Sequence, residues 1–266
     1  MYQKKFLLYL SLIIIALLGG AWFSLEFKGE PELIKEFTQP FLPEPIEQMN
    51  PSIALMSFFD LLMFSIIIIS VLYASKFIAG ERSQRTLQLI ITRPVKRWKL
   101  LVGKYISFVI IFIPLLILSV ILMTLWIEFI EIGQADKGVF IGYIAAALIY
   151  ALVYTSIATL LSTISKNTAT AALGSLIFLV GWVIIDFLIT YMPEETAEII
   201  EHGSLSHHAN QVLGYISDGE AAIFAAGGIP ADPNTEAFLY SVTIISLLII
   251  LPIIIAIVTL NKTEIH

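Results

Sequence analysis

Residues 53–75 read IALMSFFDLLMFSIIIISVLYAS, and residues 76–104 continue KFIAGERSQRTLQLIITRPVKRWKLLVGK. The first stretch carries a single charge, Asp60, and the second carries eight basic residues and one acid. About 20 apolar helical residues rising 1.5 Å each cross a hydrocarbon core of about 30 Å. The pair therefore reads as a membrane-spanning helix that emerges into a strongly basic loop. Working outward, similar apolar runs occupy Phe6–Leu25, Tyr105–Ile127, Val139–Thr163, Thr170–Tyr191 and Phe238–Leu260. With Ile53–Ser75 they make six, and the expected fold is an all-α integral membrane protein of six transmembrane helices in one domain, residues 1–266. The composition agrees: 58% hydrophobic and 14% charged residues, where soluble domains run near 45–50% and about 25%. The first run follows Lys4 and Lys5 as a secretory signal would. It is longer than the usual signal core, however, and Gly19-Gly20-Ala21 is a poor cleavage site, so it reads as a retained helix. Cysteine is absent, which removes disulfides, thiolate metal sites and cysteine nucleophiles together.

An even number of spans puts both termini on one side, and basic residues favour the cytoplasm. With the N-terminus inside, 12 of the 15 basic residues are cytoplasmic, and only Lys28, Lys35 and Lys137 lie outside. The acids sort oppositely: 17 are external, Glu81 and Glu264 are internal, and Asp60 and Asp186 lie within spans. The formal charge of −6 is thus the difference between an outer face of −14 with −2 in the membrane and an inner face of +10. The expected setting is the cytoplasmic membrane, with residues 76–104 inside and residues 26–52 and 192–237 as extracytoplasmic loops. An outer face of this charge can focus cations, or simply supply the charge that solvated loops need.

Composition leaves three readings of the 76–104 loop open: a positive-inside anchor, an anionic-surface patch, or a docking element for a cytoplasmic protein. Its residue order adds detail. Glu81–Thr92 contains neither Gly nor Pro, Glu81 and Arg85 stand at i,i+4, and Leu87, Ile90 and Ile91 form an apolar edge. This predicts a short amphipathic helix. Pro94 turns the chain at Arg93 and suits the first position of a new helix running through Trp98 and Leu101 into the third span. Aromatic interleaving and nucleic-acid modules are absent, so no nucleic-acid partner is expected.

The same stretch, from Glu81-Arg82 through Thr86-Leu87, Pro94-Val95 and Arg97 to Gly103-Lys104, resembles the first cytoplasmic loop of ABC-2 type permeases. Arg85 stands where that pattern often has Gly, and Ile90-Ile91 replace the commoner Leu pair. The six-span layout, with long outer loops before spans two and six, agrees along the whole chain. The resemblance implies the membrane subunit of an ATP-driven exporter that pairs with a second permease copy in the bilayer and docks on two ABC ATPase subunits. It also implies that the segment after Glu81 is a coupling helix. Glu81, Arg82, Arg85 and Thr86 would then make polar contacts, Leu87, Ile90 and Ile91 would pack, and Pro94 and Arg97 would complete the element. ATP and Mg would belong to the partner, with no cofactor on this chain. The sequence agrees, since no Gly-x-x-x-x-Gly-Lys-Ser/Thr loop occurs.

Two alternatives come from other classes: a membrane-embedded enzyme using Asp60 and Asp186, and an anchor recruiting proteins through the basic loop. Asp60 and Asp186 also suit a substrate or ion path, because ionisable residues inside spans are functional hypotheses by default, although Asp186, about five residues from the end of its span, can instead reach the interface, which makes Asp60 the stronger of the two. His202, His207 and His208, with Glu198 and Glu201, form a loosely spaced cluster in the last outer loop; a solvated loop helix explains it better than a metal site, and none is expected. Gly142, Ala146, Ala147 and Ala151 in span four, and Ala171, Gly174, Ser175 and Gly181 in span five, permit close helix approach. Pro114 and Pro252 are expected to kink spans three and six. Leu205–Ile216 and Glu220–Ala226 suggest short outer helices.

Overall fold

The computed structural model describes residues 2–28, 51–84, 97–189, 192, 196, 200–221, 223 and 234–262. The described residues form helices α1 (Tyr2–Lys28), α2 (Pro51–Ala74), α3 (Ala79–Ser83), α4 (Arg97–Phe129), α5 (Lys137–Ile164), α6 (Thr168–Ile189), α7 (Leu205–Ile216) and α8 (Thr235–Lys262). There is no strand among them. Five helices, α2, α4, α5, α6 and α8, are long and apolar enough to cross a membrane. The apolar stretch described within α1, Leu10–Glu26, is shorter.

Local chemistry sets the ends. At the close of α4, Glu131 takes φ 59° while its N–H bonds Glu128 O and the N–H of Ile132 bonds Ile127 O. This is the pairing of a Schellman cap. Gly133 follows at φ 143°, which a side chain would oppose. Asp136 then caps α5 by accepting from the Gly138 N–H at 2.8 Å, and Asn167 and Asn234 cap α6 and α8 in the same way. Both Pro114 and Pro252 lie inside continuous helices.

Helix α5 is the hub, packed against α2, α4, α6, α7 and α8 and touching α3. Ala146, Ala147, Ala151 and Ala158 on it are buried, as are Tyr143, Tyr150 and Tyr154. Small residues let neighbouring backbones approach, while the tyrosines fill the wider gaps; Phe59 of α2 lies 5.6 Å from the Tyr143 ring and 5.7 Å from that of Tyr150. Gly20 brings α1 onto α2, since a Cβ there would stand 2.8 Å from that of Phe58. Interhelical hydroxyls add polar ties: Ser65 Oγ donates to Leu12 O at 3.1 Å, and Thr155 Oγ1 to Ser70 Oγ at 3.2 Å. The span-four small residues therefore serve contacts within the chain. In α6 only Ala171 and Ser175 do so; a Cβ at Gly174 or Gly181 meets open space.

Candidate functional site

The basic loop begins where α2 ends. Residues 75–78 turn, and α3 follows with Ile78 at its N-cap, a residue without a side-chain acceptor. The exposed N–H groups of a helix start need partners, and here another helix supplies one. Ser162 Oγ, near the end of α5, accepts from the N–H groups of Ile78 and Ala79, each at 3.1 Å, and donates to Ser75 O at 3.1 Å. One hydroxyl thus ties the end of α2 to the start of α3, using both its lone pairs and its proton.

Charged groups complete the attachment. Arg82 donates through Nη1 to Ser165 O at 2.6 Å and through Nη2 to Thr163 O at 3.2 Å. These carbonyls terminate α5, where a cation is favoured by the helix dipole. Lys104 Nζ, on α4, donates to Phe77 O at 2.5 Å and to Glu81 Oε1 at 2.7 Å. Gly80 fits beneath, where a Cβ would stand 3.2 Å from the Lys76 Cβ. Glu81 and Arg82 are thus engaged inside the chain: Glu81 pairs with Lys104, and Arg82 holds α5. Helix α3 takes in Glu81 and Arg82 and ends at Ser83; the rest of the predicted amphipathic helix from Arg85 on, with Thr86, Leu87, Ile90, Ile91 and Pro94, lies outside the described residues, and Arg97 is within α4. Sequence reading placed Lys104 in the loop pattern without a role and missed Ser162. The available signal was the polar run Thr155, Ser156, Thr159, Ser162, Thr163 at one end of an otherwise apolar span.

A second polar cluster occupies the opposite end of the bundle. Tyr150 donates to Ser206 Oγ at 2.9 Å, and Ser206 Oγ donates to Asp186 Oδ2 at 2.6 Å. The Ser204 hydroxyl and the Ser206 backbone N–H approach the same carboxylate. Asp186 therefore places its charge at the N-terminus of α7, where anions are favoured, and Ser204 caps that helix by accepting from the His207 N–H at 3.1 Å. Asp60 and Asp186 both lie within electrostatic reach of Tyr150, yet no hydrogen bond joins them among the described residues, and each leaves its Oδ1 without a partner. They are not arranged as a carboxyl dyad sharing a proton. Asp60 is half-buried in the largely buried α2, with its Oδ1 shielded from solvent.

The histidines take separate parts. His208 is fully buried: Nε2 lies 3.0 Å from His202 O and must carry the proton, so Nδ1 accepts from Ser241 Oγ at 3.1 Å on α8. Burial holds the His208 imidazole below its ordinary pKa, with neighbouring His207 and His202 adding to the depression. His207 Nδ1 lies 2.7 Å from Glu201 Oε1, and that contact lowers the Glu201 carboxyl. The observed acid partner is Glu201; Glu198 lies outside the described residues. No group of three or more His, Cys, Asp or Glu residues able to hold a metal occurs among the described residues. The expected helix Leu205–Ile216 is present as α7. Of Glu220–Ala226, the described residues Glu220, Ala221 and Ile223 are not helical.

A bundle of helices of which five are long and apolar enough to cross a membrane, tied at one end to the start of the basic loop, makes the chain a multi-pass membrane protein. The family model described as ABC-2 family transporter protein matches residues 1–264. The chain belongs to that family, and is a multi-pass membrane permease of the ABC transporter type rather than a catalyst. A comparison with curated proteins returned no match.

Proposed function

We propose that this chain is the permease subunit of an ABC exporter, spanning the cytoplasmic membrane six times with both termini inside and working as a homodimer beside two ATPase subunits that bind ATP and Mg. In this reading α1 is the first span, the basic end of the bundle faces the cytoplasm, and the segment from Glu81 to Arg97 meets the ATPase. The observation that carries it is the attachment of residues 75–83 to both α4 and α5, which gives the basic loop a stiff base from which a docked motor can move the bundle. Asp60 is the better candidate for the substrate or ion path: its Oδ1 is shielded from solvent and has no partner within an apolar helix, where an ionisable group marks a function by default. Asp186 instead anchors α7.

The test is co-purification with the ATPase encoded beside it. The reading expects a stable complex whose ATP hydrolysis changes on assembly, and Leu87→Asp should weaken that assembly without affecting membrane insertion. A chain that neither binds the ATPase nor alters its hydrolysis refutes it.

A further inference from the structure

We propose that Ser162 and Lys104 are positioning residues of the transport cycle, carrying displacement of the 75–83 segment into the bundle. The inference rests on the reading of the basic loop as the ATPase contact and goes beyond it by naming the links. Helix α3 spans five residues and has no side-chain cap of its own, so it lacks the length to hold its shape alone. Its first N–H groups end on Ser162, and Ile78 and Ala79 are fully buried around that hydroxyl. Lys104 grips the same segment from the other side, through Glu81 in α3 and the Phe77 carbonyl in the turn before it. A movement of α3 that keeps these bonds must move α4 and α5 with it; one that breaks them leaves buried donors unpaired.

Helix α5 carries the movement onward. Twelve residues before Ser162 the same helix presents Tyr150, which donates to Ser206 of α7. That is about 18 Å along a continuous helix, packed on several sides by other helices. Nothing on α5 between the two points offers a hinge: residues 150–162 contain neither Gly nor Pro. The structure thus joins the loop at one end to the α7 cap at the other through one rigid element.

The chain has no cysteine, so single introduced thiols report on this subunit without background. Gln84→Cys, next to α3, and Glu220→Cys, just after α7, both replace exposed side chains. In membranes holding the full complex, maleimide labelling is compared with and without ATP plus vanadate. The expected result is that both thiols respond in the otherwise unsubstituted complex. In Ser162→Ala and Lys104→Met the Gln84→Cys response persists while the Glu220→Cys response shrinks about fivefold; Ser162→Thr and Lys104→Arg, which keep the donors and acceptors, restore it. Lys104 is partly exposed, so Lys104→Met decides the matter if Ser162→Ala is not recovered folded. An undiminished Glu220→Cys response in these variants overturns the inference while leaving the coupling reading standing. A Gln84→Cys site that never responds removes the coupling reading, and the inference with it.

Discussion

Gly142 offers the sharpest test of how α5 and α7 are joined. A Cβ built at this position falls 2.5 Å from the Leu213 Cδ1, and 3.4 Å from its carbonyl oxygen. Leu213 is fully buried, so its side chain cannot swing into solvent, and Gly142→Ala must push α7 away or force Leu213 out of its rotamer. Overpacking of this kind costs about 1–3 kcal/mol. Alanine also raises helix propensity over glycine by about 1 kcal/mol, which would mask part of the loss. Gly174→Ala supplies the correction, because it makes the same replacement within α6, where a Cβ meets nothing within 4 Å. The quantity to measure is therefore the difference between the two variants, expected near the full 1–3 kcal/mol. Thermal unfolding of the purified chain in detergent should show Gly142→Ala below Gly174→Ala, by roughly 2–4 °C for each kcal/mol. Leu213→Ala removes the clashing atom, so Gly142→Ala introduced into that background should lose most of its cost, a coupling that a double-mutant cycle reads directly. Equal melting points for the two glycine variants, or no relief by Leu213→Ala, would refute the packing argument.

Three further outcomes follow from the polar contacts. Acidification should destabilise the α7 end: His208 is held below its ordinary imidazole value of 6.5, so the unfolded chain binds the extra proton first, and this stability, complete above that value, drains as pH falls below it. Glu201, held below its usual carboxylate range, adds a loss at lower pH, and His208→Asn should abolish the upper part of a melting profile scanned from pH 8 to 5. Tyr150→Phe should cost about 1 kcal/mol, that of one neutral hydrogen bond, and Asp186→Ala more, because it strips the α7 N-terminus of its anion; if the order is reversed in thermal unfolding, the cap assignment is wrong. Arg82→Ala should free the carbonyls of Thr163 and Ser165, read as faster amide hydrogen exchange near the 161–168 junction; unchanged exchange there would show that the guanidinium does not hold the junction.

The helical elements were legible because each apolar run is bounded by charges, Gly or Pro. The helix expected to run through Trp98 and Leu101 into the third span is present in α4, while its expected start at Pro94 lies outside the described residues. Leu205, Ala209, Val212, Leu213 and Ile216 recur at helical spacing in the segment that forms α7. Pairings across the bundle were not legible. Lys104, a partner of Glu81, stands 23 positions away on α4, beyond the reach of any local pattern. Asp186 looked like an intramembrane acid in need of a function until α7 brought Ser204 and Ser206 onto it, 18 and 20 residues later. Short-range pattern reports which residues share a helix face, and long-range pairing depends on how the helices stack. The same limit split the small-residue stripes: only three-dimensional packing distinguishes Gly142, wedged against Leu213, from Gly174, which faces open space.

The two short helices share a design that bears on transport. Neither α3 nor α7 is capped by local residues alone: α3 takes Ser162 from α5 for its first N–H groups, and α7 adds Asp186 from α6 to its own Ser204. Helices of five and 12 residues are too short to persist in isolation, so their form depends on the bundle that caps them. Each therefore follows the helices that hold it, and α5 holds both: it caps α3 through Ser162 at one end, and at the other it packs on α7 through Gly142 and bonds Ser206 through Tyr150. A bundle in which one buried helix fixes the elements at both faces transmits a push at one face to the other without a chain of independent side-chain rearrangements. In the reading proposed above, that is the mechanical requirement on the membrane half of a transporter driven from outside the bilayer, and α5 is the element placed to meet it.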